Sequence, residues 1–371
     1  MAIHNKKNDG ATFEKKQIGH DRRLEYKESL AKKRLILILL FLSVLVMAIL
    51  AMNAGATGLK PWQIIQALLG IGEDKTIAVV RNLRLPRVTA GIIAGIGLAI
   101  AGCIMQNNLR NPLASPSTLG ISNAAAFGAN VAIIIFGAGD VLSTGIGEVI
   151  INNPYIVTIT ALFFSLSAMA VILALSKLRN FSPESIVLAG VAISSLFSAG
   201  TMIIQYFAGD STKVAAVIFW TFGDLGRASW EEIAIMTGII VLSFSYFMFR
   251  KWDYNALDGG EDTAKSLGVN IERVRLGGLF ASSVIAAVCV SFLGMIGFIG
   301  LVAPQIMKRI IGNDKRFLIP GTALMGILIL LVSDTLAKVV LSPQMLPVGA
   351  VTSFLGAPLF LYLLMKGRSA R

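Results

Sequence analysis

The fold is decided by two neighbouring segments, Arg84-Leu-Pro-Arg-Val-Thr-Ala-Gly91 and Asn111-Pro-Leu-Ala-Ser-Pro-Ser-Thr-Leu-Gly120. From Val88 to Leu109 the chain runs for 22 residues without a charged side chain. A helix of that length rises about 33 Å, enough to cross the hydrocarbon core of a bilayer. Pro86 suits the first turn of such a helix, where no backbone donor is needed. These segments therefore predict a membrane crossing with arginines at one end and a polar, proline-marked turn at the other.

The composition of the chain extends this interpretation to the whole protein. Of 371 residues, 55% are hydrophobic and 15% are charged, whereas soluble domains carry about 25% charged residues. The apolar runs are continuous rather than alternating, which predicts an all-α polytopic membrane protein and not a barrel. The net charge of +12 lies between the apolar runs instead of along one face, so we expect no nucleic-acid partner.

The apolar runs and the charges between them predict ten transmembrane helices. An uncharged run from Leu276 to Met307 is interpreted as two crossings, broken near Gly294–Gly297, because this places the following Lys308 and Arg309 on the inner side. Both termini are then cytoplasmic, and 25 of the 33 Lys and Arg residues lie inside. The predicted crossings cover about residues 35–52, 88–109, 119–136, 155–176, 186–207, 233–249, 276–307 (two), 317–340 and 348–365.

Three regions follow from this topology. Residues 1–34 carry ten Lys and Arg and are expected to form a solvated cytoplasmic tail, with contact to membrane lipid headgroups as the alternative. Residues 35–367 form the ten-helix domain, and residues 368–371 a cytoplasmic C-terminus. Within the domain, residues 258–275 are amphipathic and cytoplasmic. Gly268 can adopt positive φ and divide this segment into two short helices, an elbow for a partner's groove or an ordinary interfacial loop.

The residue types that catalysis requires are missing from the apolar regions. No GxxxxGK[S/T] phosphate-binding loop or serine nucleophile elbow occurs, and both histidines, His4 and His20, lie in the basic tail. We therefore predict no catalytic residues, no cofactor-binding residues, no metal ligands and no cofactors. Asp334 and Lys338 have the spacing of an i,i+4 ion pair, although an intramembrane carboxylate could also serve an ion-driven secondary transporter.

Several ordered motifs resemble the permease subunit of type II ABC importers for iron–siderophore, haem and vitamin B12. The resemblance covers roughly residues 35–367. It rests on Arg84-Leu-Pro-Arg87, Asn111-Pro-Leu-Ala-Ser-Pro116 with Leu119-Gly-Ile-Ser122, Ala264-Lys-Ser-Leu-Gly-Val269, Ile296-Gly-Phe-Ile-Gly-Leu-Val-Ala-Pro304, and Leu346-Pro-Val-Gly349 with Leu355-Gly-Ala-Pro-Leu-Phe360.

The resemblance assigns roles to individual positions. It implies docking of an extracytoplasmic substrate-binding protein at Arg84, Arg87 and Lys338, with glutamates of that protein pairing with Arg84 and Arg87. It implies cytoplasmic gates at Asn111, Leu113, Pro183 and Glu184, and coupling to ABC ATPase subunits through Ala264, Leu267, Gly268 and Val269. Two positions depart from the family pattern: Gln305 replaces a frequent histidine, and Lys338 replaces an arginine, losing bidentate geometry toward carboxylates.

The resemblance also implies a function. The chain is expected to be a non-catalytic permease in a bacterial or archaeal plasma (inner) membrane, forming a dimer with a second copy or a paralogue. ATP hydrolysis would occur in separate subunits, and the cargo would be an iron(III)–siderophore-type chelate. A haem or vitamin B12/corrinoid cargo is the alternative, and an ion-gradient-driven secondary transporter using Asp334 is the less favoured class.

Overall fold

The computed structural model describes residues 5–55, 59–138, 140–141, 149–150, 154–177, 182–342 and 344–367, with side chains from residue 27 onward except at a few positions beside the gaps. The predicted C-terminal segment 368–371 and the first four residues of the basic tail lie outside the described residues.

Helices make up almost all of the described chain, and seven of them are long and apolar enough to cross a membrane. They are α1 (Asn5–Asn53), α4 (Leu85–Asn108, continuous with the helical turns before it), α6 (Pro154–Lys177), α7 (Pro183–Tyr206), α9 (Trp230–Phe249), α12 (Ile271–Leu293) and α14 (Lys315–Val339). Seven of the ten predicted crossings therefore have a helix of full spanning length.

The other three predicted crossings are occupied by shorter apolar helices. These are α5 (Ile121–Asn130), which continues into a π-helical turn over Val131–Ile135, α13 (Ile299–Ile311) and α15 (Val348–Gly367). The remaining elements are α2 (Pro61–Leu69), α3 (Asp74–Val79), α8 (Ser211–Thr221), α10 (Lys251–Asp258), α11 (Glu261–Ser266) and a two-residue antiparallel pair, β1 (Asp140–Val141) with β2 (Val149–Ile150).

The helix that contains the central segment begins earlier than the sequence predicts. Helical backbone runs from Asp74 through α3 and a π-helical turn, Val80–Arg84, directly into α4. Pro86 lies in the first turn of α4, as predicted, but the prediction missed the helical backbone that precedes α4. The π turn alters the hydrogen-bond ladder just before the proline, where an ordinary α-helix would lose a bond and clash.

The predicted break in the long apolar run is confirmed. Helix α12 ends at Leu293, Gly294 has a φ of 77°, and α13 begins at Ile299. The elbow differs in part from its prediction. Gly268 has a φ of 78° and follows the short helix α11, but the segment after it is the first turn of α12 and not a second short helix. Asn270 caps that turn by accepting a hydrogen bond from the Arg273 amide at 3.0 Å.

Helix α4 lies at the centre of the bundle, against α9, α12, α13 and α14. In the most apolar 18-residue stretch of this helix, 78% is buried inside the protein, compared with 11% in the corresponding stretch of α7. Glycines allow two neighbours to approach closely. A Cβ added at Gly95 would lie 2.8 Å from Cα of Ile327 on α14, and one at Gly102 would lie 1.9 Å from the Gly300 carbonyl oxygen on α13. Such contacts hold helices together where lipid removes the hydrophobic drive.

Replacing Gly102 by alanine tests this central contact. The added methyl group must push α4 away from α13, which should cost roughly 1–3 kcal/mol and lower the thermal unfolding midpoint in detergent. Gly238→Ala on α9 is the matched control, because a Cβ there meets nothing within 4 Å. The control should be neutral or stabilising by up to about 1 kcal/mol. Equal midpoints for the two variants would contradict the close contact.

Candidate functional site

A buried ion cluster surrounds Arg87 at the N-terminal end of α4, which the charge pattern predicts to be the outer end. Arg87 Nε donates to Oδ1 of Asp334 on α14 at 2.9 Å. Lys338 Nζ lies 2.6 Å from the other oxygen of the same carboxylate, so the predicted i,i+4 ion pair is confirmed. Asp224 contributes the second carboxylate, 3.2 Å from Arg87 Nη1. Asp334 is fully buried and contacts both cations, and Asp334 and Asp224 together balance the charges of Arg87 and Lys338.

The three predicted docking residues are turned into the protein rather than lining an open rim. Arg84, Arg87 and Lys338 are only 8%, 9% and 7% exposed. Arg84 Nη1 donates to the carbonyl oxygens of Met52 at 2.8 Å and Asn53 at 3.4 Å, at the end of α1. Free carbonyl groups at a helix C-terminus attract a cation, a contact that the sequence could not reveal. The docking role itself stays a prediction.

An open cleft of about 470 Å³ lies beside the Arg87 cluster. Its apolar walls include Phe219, Phe222 and Met345, which are 45%, 40% and 57% exposed. Its charged part is formed by Arg87 and Asp224, which pair with each other, and by Arg227. The cluster is thus reachable from one side, through this cleft.

At the other end of α4, predicted to be the inner end, Arg275 joins three elements. Its Nε donates to the Asn108 carbonyl oxygen at 3.1 Å, and its Nη2 donates to Glu261 Oε1 on α11 at 2.6 Å. The Arg275 hydrogen bond holds the pKa of Glu261 below its usual value. The ion pair therefore stabilises the fold at neutral pH and is lost only as acid protonates Glu261. Sequence reasoning did not single out Arg275 or Glu261.

Helix α10 is tied to the same end of α4. Asn107 Nδ2 donates to Asp258 Oδ1 at 2.5 Å, and Arg110 Nη2 donates to the Leu257 carbonyl oxygen at 3.2 Å. The buried Lys315, at the start of α14, pairs with the same Asp258 carboxylate. The inner ends of α4, α10, α11, α12 and α14 are therefore connected by charged and polar contacts.

The four elbow residues play two different roles. Ala264 is buried and Val269 packs against the core, so these two hold the elbow on the helix bundle. Gly268 makes the turn, and the space where a Cβ would project is open. Leu267 is 67% exposed. The coupling role of these four residues itself stays a prediction.

The loop that begins with the first predicted gate segment contacts α7, and the second predicted gate segment lies at the start of that helix. Asn111 closes its own turn by accepting a hydrogen bond from the Leu113 amide at 2.9 Å, and Leu113 is 46% exposed. Farther along this loop, a Cβ at Gly120 would lie 3.0 Å from the backbone nitrogen of Ser194 on α7. Pro183 and Glu184 form the first turn of the same helix. The far end of the loop therefore contacts α7, and the gate role of the four residues stays a prediction.

Polar side chains within the apolar helices connect neighbouring helices. Gln305 Nε2 donates to Gln106 Oε1 at 2.7 Å, linking α13 to α4. Asn123 donates to Ser198 at 3.1 Å, and Gln205 donates to Asn130 at 3.1 Å, so that both pairs join α5 to α7. Among the described residues, no group of three or more His, Cys, Asp or Glu side chains could hold a metal ion.

A bundle of apolar helices with polar clusters at both ends of its central helix defines a polytopic membrane protein of the permease class. Residues 39–366 match the FecCD transport family, and the chain belongs to this family. This membership disfavours the alternative of an ion-gradient-driven secondary transporter. The carboxylate which that alternative would use, Asp334, forms ion pairs with Arg87 and Lys338.

Similar proteins come from archaea and bacteria. A Methanocaldococcus jannaschii protein named as an ABC transporter permease is 53% identical over 92% of this chain and 97% of its own length. The Fe(3+)-citrate import permease of Bacillus subtilis is 33% identical over 91% of this chain and 97% of its own length. The hemin transport permease of Yersinia pestis is 35% identical over 78% of this chain and 84% of its own length. An inward-facing structure described as a metal-chelate type ABC transporter matches with a TM-score of 0.75, 28% identity, and 90% and 99% coverage.

Neutralising Asp334 tests the buried cluster. Asp334→Asn leaves Arg87 and Lys338 facing each other without their shared carboxylate, and breaking such a buried pair costs roughly 3–5 kcal/mol. The thermal unfolding midpoint should fall clearly. Adding Lys338→Gln to this variant should recover part of the loss, because it removes the surplus positive charge. A wild-type midpoint for Asp334→Asn, or a further loss in the double variant, would contradict the charge balance.

Proposed function

We propose that this chain is the membrane-spanning permease subunit of an ATP-driven importer that carries an iron(III)–siderophore-type chelate into the cytoplasm of a bacterium or archaeon. One observation carries the proposal. Helix α4 joins an ion cluster at Arg87 to a second cluster at Asn108 and Arg275, which supports an exposed elbow. An importer powered by separate subunits needs such a connection between its two surfaces.

The topology that goes with this function has ten crossings and two cytoplasmic ends. Helices α5, α13 and α15 supply the three shorter crossings beside the seven long ones. The elbow after α10 then faces the ATPase subunits, and the basic N-terminal tail lies on the same side. This places the inner ends of α4, α10, α11 and α12 where nucleotide-driven motion enters the permease.

The translocation path forms where two permease copies, or two paralogues, meet. Helix α7 supports this arrangement because its apolar side chains are uncovered in the single chain. Leu188, Met202 and Tyr206 are 72%, 69% and 83% exposed. A path with few charges allows a large chelate to pass without being held tightly. The exposed Ser195 on the same helix supplies a polar group without charge.

The cargo is assigned as an iron chelate for two reasons. The relative from Bacillus subtilis is named as an Fe(3+)-citrate permease, and the similar solved structure is described as a metal-chelate type transporter. Haem is the second candidate because of the Yersinia pestis relative, and a corrinoid is the third.

Reversing the charges of Arg84 and Arg87 tests the docking surface. The variant Arg84→Glu/Arg87→Glu repels the glutamates expected on the binding protein, so docking should weaken at least tenfold and uptake of a radioactive iron chelate should stop. The control is Arg81→Glu, three residues away, whose guanidinium donates to the Leu68 carbonyl oxygen instead. A binding protein whose docking glutamates are changed to lysine should restore docking to the double variant. Normal docking by the double variant would refute the assignment.

The elbow is tested by placing a charge on its exposed leucine. Leu267→Asp should prevent co-purification of the ATPase subunits and stop uptake, because a carboxylate cannot enter an apolar groove without a partner. Docking of the binding protein outside should be unchanged. Leu69→Asp is the matched control, since Leu69 is 70% exposed on α2, compared with 67% for Leu267. Full ATPase assembly with Leu267→Asp would contradict the coupling role.

A further inference from the structure

We propose that Asp224 belongs to the docking surface as an internal substitute: its carboxylate holds the position on Arg87 that a carboxylate of the binding protein takes on docking. The inference rests on the proposed function, because it presupposes a binding protein that docks at Arg87. It adds a residue and a displacement step to that surface.

The two carboxylates that contact Arg87 differ in how firmly they are held. Asp334 is fully buried within α14 and also pairs with Lys338 at 2.6 Å. Asp224 lies at 3.2 Å from Arg87, and its side chain is 51% exposed. An ion pair with a half-exposed partner changes an equilibrium constant by at most about fivefold. Asp334 is thus the fixed partner of Arg87, and Asp224 is the exchangeable one.

The charges of the cluster indicate which chemical group takes the place of Asp224 beside Arg87 on docking. Arg87 and Lys338 carry two positive charges, which Asp334 and Asp224 neutralise. When Asp224 moves away, the cluster has a net charge of +1, and one face of the guanidinium opens to the adjacent cleft of about 470 Å³. A carboxylate from outside restores neutrality. The exposed rings of Phe219 and Phe222 would flank it, so the partner loop should combine an acidic and an apolar side chain.

The displaced carboxylate keeps a hydrogen-bond partner. Asp224 Oδ1 also accepts from the Gly226 amide at 3.0 Å, which caps the short 3-10 turn Leu225–Arg227. The Asp224 backbone is held separately, because its amide donates to the Leu293 carbonyl oxygen at 2.8 Å. Because Arg87 and the Gly226 amide contact the same oxygen, release from Arg87 requires the side chain to rotate so that one carboxylate oxygen stays on the Gly226 amide. Exchange therefore needs no unfolding of the loop.

The affinity of the transporter for its binding protein tests whether Asp224 acts as this internal substitute. The complete transporter in lipid nanodiscs is titrated with its own binding protein, free of substrate and labelled with a fluorescent dye. Asp224→Asn should tighten binding by about three- to fivefold, because docking no longer competes with the internal carboxylate. Asp210→Asn is the control: it removes one negative charge from another exposed loop, where the carboxylate contacts Thr212. The control should change affinity less than twofold.

A second variant keeps the test decisive if Asp224→Asn folds poorly. Asp224→Ser can still accept from the Gly226 amide but carries no charge, so it should show the same gain. If either variant binds the binding protein more tightly and Asp210→Asn does not, the result supports displacement of Asp224 from Arg87 on docking. Unchanged or weaker binding with both variants overturns it while leaving the proposed function intact. If the wild-type transporter does not bind the binding protein at all, the proposed function fails together with this inference.

Discussion

Close backbone contact between α4 and its neighbours is the constraint on which the rest of this structure depends. A Cβ at Gly326 would lie 2.3 Å from the Gly95 carbonyl oxygen, and one at Gly102 would lie 1.9 Å from that of Gly300. Helices in lipid gain little from hiding apolar surface, so contacts of this kind set which helices stay together. They join α4, α13 and α14 into one frame, with α12 against it.

The frame explains how the two ends of the protein are related. Its outer end holds Arg87 against Asp334, and its inner end holds Arg275 against Asn108. The amide of Asp224 donates to the carbonyl oxygen of Leu293, where α12 ends, so the cleft beside Arg87 also contacts the frame. Helix α7 contacts α5, α6 and the loop that ends at Gly120, and its most apolar stretch is only 11% buried. In the proposed function, motion between the frame and α7 would open the path beside α7 while both proposed partner surfaces keep their geometry.

The sequence predicted local features well and long-range pairing poorly. The ends of α7 and α14 agree with prediction within three residues, because Ser182 and Asp314 cap them just before the apolar runs. Left-handed backbone at Gly268 followed from the residue type. The ion pair between Arg87 and Asp334 joins positions 247 residues apart. It depends on the rotation of two packed helices, which no local pattern contains. The early start at Asp74 was hidden because a π turn accommodates Pro86.

Distances between spin labels on the outer ends of three helices measure the rigidity of the frame most directly. Leu83, Val339 and Phe207 are 64%, 57% and 78% exposed, and both native cysteines are buried, so introduced cysteines can be labelled selectively. In the reconstituted complex, the distance between positions 83 and 339 should stay the same in the nucleotide-free and ATP-trapped states, while that between positions 83 and 207 changes. A change between 83 and 339 as large as that between 83 and 207 would contradict a rigid frame around α4.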